Sequence, residues 1–173
     1  MYLSEVKNCD IANGPGVRVT LFVSGCTHHC EGCFNEMTWD FHYGRPYTEE
    51  DTWQILAWLE PDYITGLTLL GGEPMEPVNQ RGLLPLLRAV KEKYPKKTIW
   101  CYTGYLFEKD ILQDFCGRFP ETKEMLGFLD VLVDGEFMLE KKNISLRFRG
   151  SENQRIIRVQ ESLREGRTVL WED

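Results

Sequence analysis

No stretch of this 173-residue chain approaches the ~20 consecutive apolar residues that cross a bilayer, and Met1 to Ala12 lacks the basic start and apolar run of a secretory leader. The expected setting is the cytoplasm, without membrane contact. A basic excess is missing too: 20 Lys and Arg stand against 27 Asp and Glu, a formal net charge of -7. That argues against non-specific binding to nucleic acid or anionic lipid, which both need a cationic face. Low-complexity tracts, internal repeats and linker-like composition shifts are absent, so disorder is not expected. What the chain does have is 42% hydrophobic and 12% aromatic residues, enough for a single domain over 1–173 with a proper core.

Strands and helices alternate along it. Arg18 to Ser24 reads as a buried strand, followed at once by a cysteine cluster. Thr48 can cap a helix over Glu49 to Leu59 that Pro61 ends. Gly66 to Leu70 is a second strand, running into Gly71-Gly72-Glu73-Pro74. A helix from about Gly82 to Tyr94, a strand over Thr98 to Tyr102, a helix over about Phe107 to Phe115 and a strand over Asp130 to Val133 follow. This order predicts βαβ units, a parallel sheet and an α/β fold. Because the chain is shorter than the ~250 residues of a complete eight-stranded barrel, an open, partial β/α barrel is expected. After about residue 150 comes a C-terminal extension in which Arg155 to Val159 and Thr168 to Trp171 read as strands around a turn at Glu165-Gly166-Arg167. The cysteine cluster, Gly71-Gly72-Glu73, Thr103-Gly104 and Asp134-Gly135 all fall just beyond carboxyl ends of strands, the edge where parallel α/β sheets hold ligands.

Six cysteines in a reducing compartment point to metal binding where they cluster. Cys26, Cys30 and Cys33 form a C-x3-C-x2-C loop, Cys26-Thr27-His28-His29-Cys30-Glu31-Gly32-Cys33. Three thiolates on a four-iron cluster leave one iron open to chelate a substrate. The rival is structural zinc with His28 or His29 as fourth ligand, although no second C-x2-C pair accompanies the loop. Cys9, Cys101 and Cys116 are expected to be ordinary apolar thiols, and the two histidines loop residues. Gly71 and Gly72 would let backbone approach a ligand, with Glu73 or a nearby carbonyl accepting from an ammonium group. Leu146 to Arg155 carries Arg147, Arg149 and Arg155 among polar amides, either a solvated face or a surface for a partner or carboxylate.

The cysteine loop after Gly14-Pro15-Gly16 and an apolar strand, then Gly-Gly-Glu-Pro, resembles the radical S-adenosylmethionine activases of glycyl radical enzymes. Val23-Ser24-Gly25-Cys26, Thr38-Trp39, Tyr102-Thr103-Gly104-Tyr105, Leu132-Val133-Asp134-Gly135 and Arg149-Gly150-Ser151-Glu152-Asn153-Gln154 are similar to the branch serving anaerobic ribonucleoside-triphosphate reductase. The resemblance spans nearly the whole chain. It implies a barrel of the radical S-adenosylmethionine type and a 4Fe-4S cluster on Cys26, Cys30 and Cys33. One electron, from a reductant such as flavodoxin, would cleave S-adenosylmethionine to methionine and a 5′-deoxyadenosyl radical, which takes hydrogen from a glycine of the partner reductase. It further implies that Gly32, Cys33 and Phe34 border cluster and cofactor, that Gly71, Gly72 and Glu73 hold the methionyl end, and that Thr103 and Asp134 lie around the cofactor. No general acid or base is needed for homolysis. Activases of pyruvate formate-lyase have an Asp-Thr-Asn-Gly segment where this chain reads Cys101-Tyr102-Thr103-Gly104, which favours the reductase branch. The alternatives are activation of another glycyl radical enzyme, a small-molecule radical enzyme similar to deazapurine synthases, and a zinc-binding interaction module.

Overall fold

A computed structural model describes residues 1–172. Seven strands form one mixed sheet in the order β3-β1-β2-β4-β5-β6-β7. Its centre is the expected parallel block: β2 (Val17–Val23), β4 (Ile64–Gly71), β5 (Thr98–Tyr102) and β6 (Val131–Asp134) pair in register side by side. Antiparallel strands flank it. β1 (Tyr2–Asp10) pairs with β2 and with the two-residue β3 (Arg45–Pro46), and β7 (Arg155–Arg158) pairs with β6. The sheet is therefore mixed where a parallel one was expected.

Helices connect the parallel strands. The α1 helix (Glu49–Leu59) starts as expected at Thr48, whose backbone N–H donates to Asp51. The α2 helix (Pro77–Lys93) begins earlier than Gly82, because Pro77 fits the first helical turn, where its missing N–H has no partner to lose. Between β5 and β6 lie a π-helix (Phe107–Phe115), α3 (Cys116–Arg118) and α4 (Pro120–Phe128), and α5 (Val159–Glu165) follows β7. The C-terminal segment departs from expectation. Thr168 to Trp171 forms no strand but a single bridge, Leu170 to Ile157, and α5 occupies the residues before Gly166.

Successive strand residues point to opposite faces, which sorts the two sides of the sheet. Val19, Leu21, Leu67, Leu69, Ile99, Cys101 and Leu132 face the helices and join Ile55, Leu59, Leu83, Leu87, Val90 and Met125 in the main core. The other face carries Arg18, Thr20, Thr68, Trp100 and Tyr102, partly covered by Phe148 and Trp171. Arg18 is fully buried there. It donates to the hydroxyls of Thr68, Thr65 and Thr98 and to the carbonyls of Pro15, Leu67 and Thr98. Burial lowers its pKa to about 10, so it stays a cation and ties the Asn13–Gly16 loop to three strands.

Candidate functional site

The carboxyl ends of β2, β4, β5 and β6 meet at one cleft of about 660 Å³, counted with its open mouth. Cys26, Cys30, Cys33, Phe34, Gly71, Gly72, Glu73, Thr103, Gly104 and Gly135 all line it. Residues scattered over a hundred positions thus converge, as their place at strand ends predicts.

The cysteine loop is rooted by backbone pairing. The Gly72 N–H donates to the Val23 carbonyl at 2.7 Å, Glu73 N–H to Gly25 at 2.8 Å, and Gly25 N–H to Thr38 at 2.7 Å. These contacts explain the glycine pair. A Cβ on Gly72 would lie 2.6 Å from the Gly25 carbonyl oxygen, and one on Gly71, with φ +112°, would lie 2.5 Å from that of Val23. The close approach expected toward a ligand is, at these two positions, an approach to the base of the cysteine loop. Glu76 adds a staple, accepting from the Thr27 N–H at 3.0 Å and the Thr27 hydroxyl at 2.6 Å.

Cys26 is buried, while Cys30 and Cys33 are half-buried, and all three are free thiols. Burial pushes the Cys26 thiol up to about 12 and raises Cys30 as well. A bound metal would counter that effect, holding the sulfurs as thiolates. The Asn35 N–H points at the Cys33 sulfur from 3.4 Å, a donor suited to a metal-bound thiolate. No three His, Cys, Asp or Glu side chains among the described residues are gathered as a single metal ion requires. The histidines are also engaged elsewhere. His29 stacks on Trp39 with ring centroids 4.4 Å apart, and both His28 nitrogens face carboxylates at 2.9 Å. Neither histidine is placed as the fourth ligand of zinc. Three cysteines around a cleft, with no fourth protein ligand offered among the described residues, would suit a four-iron cluster that leaves one iron without a protein ligand.

Glu73 is buried. Its carboxylate accepts from the Met75 N–H at 2.9 Å, the Gly104 N–H at 2.7 Å and His28 at 2.9 Å. Thr103 uses its hydroxyl oxygen to accept from the Tyr105 N–H at 3.1 Å. Gly32 packs under Leu139, and Phe34 lies exposed at the rim against Phe137, 5.2 Å between centroids. Gly32 does not line the cleft, and neither does Asp134. The Asp134 side chain points away from the cleft, is fully buried, and accepts from Arg155 and from the Phe107 N–H. Alternation along β6 gives the reason: Asp134 shares the helix-facing side with Leu132, and only Gly135 reaches the cleft.

His28, Trp39 and Gln154 also line the cleft, although the sequence does not mark them as cofactor-binding. His28 was legible only as one of two adjacent histidines in a polar loop, and nothing local marks which turns inward. Of the other cysteines, Cys101 is buried, Cys116 half-buried and Cys9 exposed on β1.

The profile of the family described as "4Fe-4S single cluster domain" matches residues 12–157, which defines the class: an iron–sulfur protein with one cluster. Relatives narrow it. A protein of Enterobacteria phage T4 is 42% identical over 158 residues, covering 90% of this chain and 93% of its own length. One of Vibrio cholerae is 45% identical over 152 residues, covering 86% and 92%. One of Escherichia coli K12 is 41% identical over 148 residues, covering 84% and 90%. Each is named anaerobic ribonucleoside-triphosphate reductase-activating protein, and the chain belongs to that family.

Proposed function

We propose that this protein activates anaerobic ribonucleoside-triphosphate reductase by generating a glycyl radical on it. The observation that carries the reading is the shared cleft: Cys26, Cys30 and Cys33 stand around the same cavity as Gly71, Gly72, Glu73 and Thr103. The relatives' names supply the target. In this reading β2, β4, β5 and β6 are the heart of an open, partial β/α barrel, and the protein works in the cytoplasm with a one-electron reductant such as flavodoxin.

When bound, the 4Fe-4S cluster supplies the electron that cleaves S-adenosylmethionine to methionine and a 5′-deoxyadenosyl radical, which takes hydrogen from the partner's glycine. The chain's own residues bind, orient and shelter. Cys26, Cys30 and Cys33 would hold the cluster. Glu73, Thr103 and the backbone at Gly71 and Gly72 would seat the methionyl end. Gly32 and Phe34 would border the cofactor at the rim. Asp134 acts at one remove, fixing Arg155 and the start of the π-helix behind the Gly135 turn. The test is anaerobic: reconstitute with iron and sulfide, reduce, add S-adenosylmethionine and measure 5′-deoxyadenosine. Release of the nucleoside supports the reading; a cluster-loaded protein that releases none contradicts it.

A further inference from the structure

His28 lies midway between two cluster cysteines, yet its ring turns inward. Its Nε2 meets Glu73 Oε2 at 2.9 Å and its Nδ1 meets Glu136 Oε1 at 2.9 Å. The ring packs edge-on against Tyr105, 4.3 Å between centroids. Gly104 passes so close that a Cβ there would lie 2.7 Å from the imidazole. One side chain thus ties the cysteine loop to the ends of β4, β5 and β6.

The acceptor count at Glu73 shows what this brace does. A carboxylate oxygen has about two acceptor places. Oε2 takes both His28 and the Gly104 N–H, and is full. Oε1 takes only the Met75 N–H and keeps one place. Behind Glu136 stands the Arg149–Gln154 segment, for which the sequence allows either a solvated face or a surface for a partner or carboxylate. Asn153 Nδ2 donates to the Glu136 carbonyl at 2.8 Å, and Gln154 Nε2 donates to the Gly135 carbonyl at 3.0 Å. Gln154 Oε1 in turn accepts from the Gly150 and Ser151 N–H groups, so the segment is folded on itself.

We infer that His28, backed by Glu136, is a positioning residue that fixes the Glu73 carboxylate so that Oε1 is left to receive the α-ammonium group of the cofactor's methionyl end. The inference rests on the functional reading above and deepens it. It assigns the Arg149–Gln154 segment an internal duty: holding the Gly135–Glu136 turn against the cysteine loop.

The test uses reconstituted holoprotein under anaerobic conditions, with His28→Ala, His28→Gln and Glu136→Gln compared with wild type. Iron content and the electron paramagnetic resonance signal of the reduced cluster report the loop itself. Equilibrium dialysis against S-adenosylmethionine, and against an analogue lacking the α-amino group, reports the ammonium contact. His28→Ala is expected to keep its iron and to bind S-adenosylmethionine about tenfold more weakly, about 1.4 kcal/mol, while its affinity for the deaminated analogue is unchanged. KM for cleavage should rise more than kcat falls. The amide of His28→Gln can still donate to Glu73 and should recover part of the affinity, and Glu136→Gln should lose only about two- to threefold. Unchanged affinity in His28→Ala, equal weakening of both ligands, or iron loss in step with affinity would overturn the inference. Cluster-loaded wild type that binds no S-adenosylmethionine would overturn the functional reading as well, and is seen before any substitution is made.

Discussion

Replacing Arg155 with methionine should destabilise the protein by about 3 kcal/mol. Asp134 is 0% exposed, and its carboxylate is held by Arg155 Nε at 3.0 Å, Arg155 Nη2 at 2.5 Å and the Phe107 N–H at 2.9 Å. Without the guanidinium, a buried charge keeps one donor. Breaking a buried pair from one side costs about 3–5 kcal/mol, and the 33% exposure of Arg155 lets water in, which sets the lower end. At this chain length the loss corresponds to a fall of about 6–12 °C in Tm. Arg155 also pairs with Glu108, but that carboxylate is 40% exposed, so Glu108→Gln should cost no more than about 1 kcal/mol. The double variant Asp134→Asn/Arg155→Met should regain most of the loss, because no uncompensated charge remains. Anaerobic urea denaturation of the apoprotein, followed by circular dichroism, measures all four proteins. A single Arg155→Met variant within about 0.5 kcal/mol of wild type, or a double variant no better than the single, would refute the reasoning.

Cys30→Ala should abolish the iron–sulfur absorbance of the reconstituted protein while leaving the apoprotein's melting curve in place, since Cys30 is only half-buried. Gly72→Ala should lower stability by about 1–3 kcal/mol, because its Cβ would meet two backbone oxygens, at 2.6 and 2.9 Å. Gly127→Ala, in the open space on α4, should instead stabilise by about 0.5–1 kcal/mol; both are read by denaturant midpoint. Arg155, outweighing burial, holds Glu108 down to about 2 against an ordinary value of 4.5. Being depressed in the folded state, this group adds stability above about pH 4.5 and loses it as pH falls toward 2, so Glu108→Gln should flatten the acid limb of a stability–pH curve.

The parallel block and α1 were legible because their signals are local: β-branched runs between glycines for the strands, and Thr48 with three acids for the helix. Convergence of the strand ends was legible too, since it follows from topology alone. The edge strands were not. β1 mixes apolar residues with Ser4, Glu5, Lys7 and Asn8, and β3 is a two-residue pairing set by the sheet it joins. α5 was hidden by its seven-residue length, with Gly166 closing it in a left-handed conformation that reads in sequence as a plain turn. At the site, residue identity was readable and side-chain direction was not. Asp134 looked like a cleft residue until strand alternation placed it behind the sheet. His28 is a loop residue as expected, but nothing local tells that it packs among three strand ends. The glycine pair lines the cleft, and the bodies pressing on it are Val23, Gly25 and Thr38.

The central claim is that the cysteine cleft makes a radical for transfer to a partner. The most direct measurement incubates reduced, cluster-loaded protein with S-adenosylmethionine and an anaerobic ribonucleoside-triphosphate reductase, and records the reductase by electron paramagnetic resonance. The account predicts a glycyl radical that depends on the cofactor and disappears with Cys30→Ala. A reductase that stays radical-free beside protein that cleaves the cofactor would contradict it.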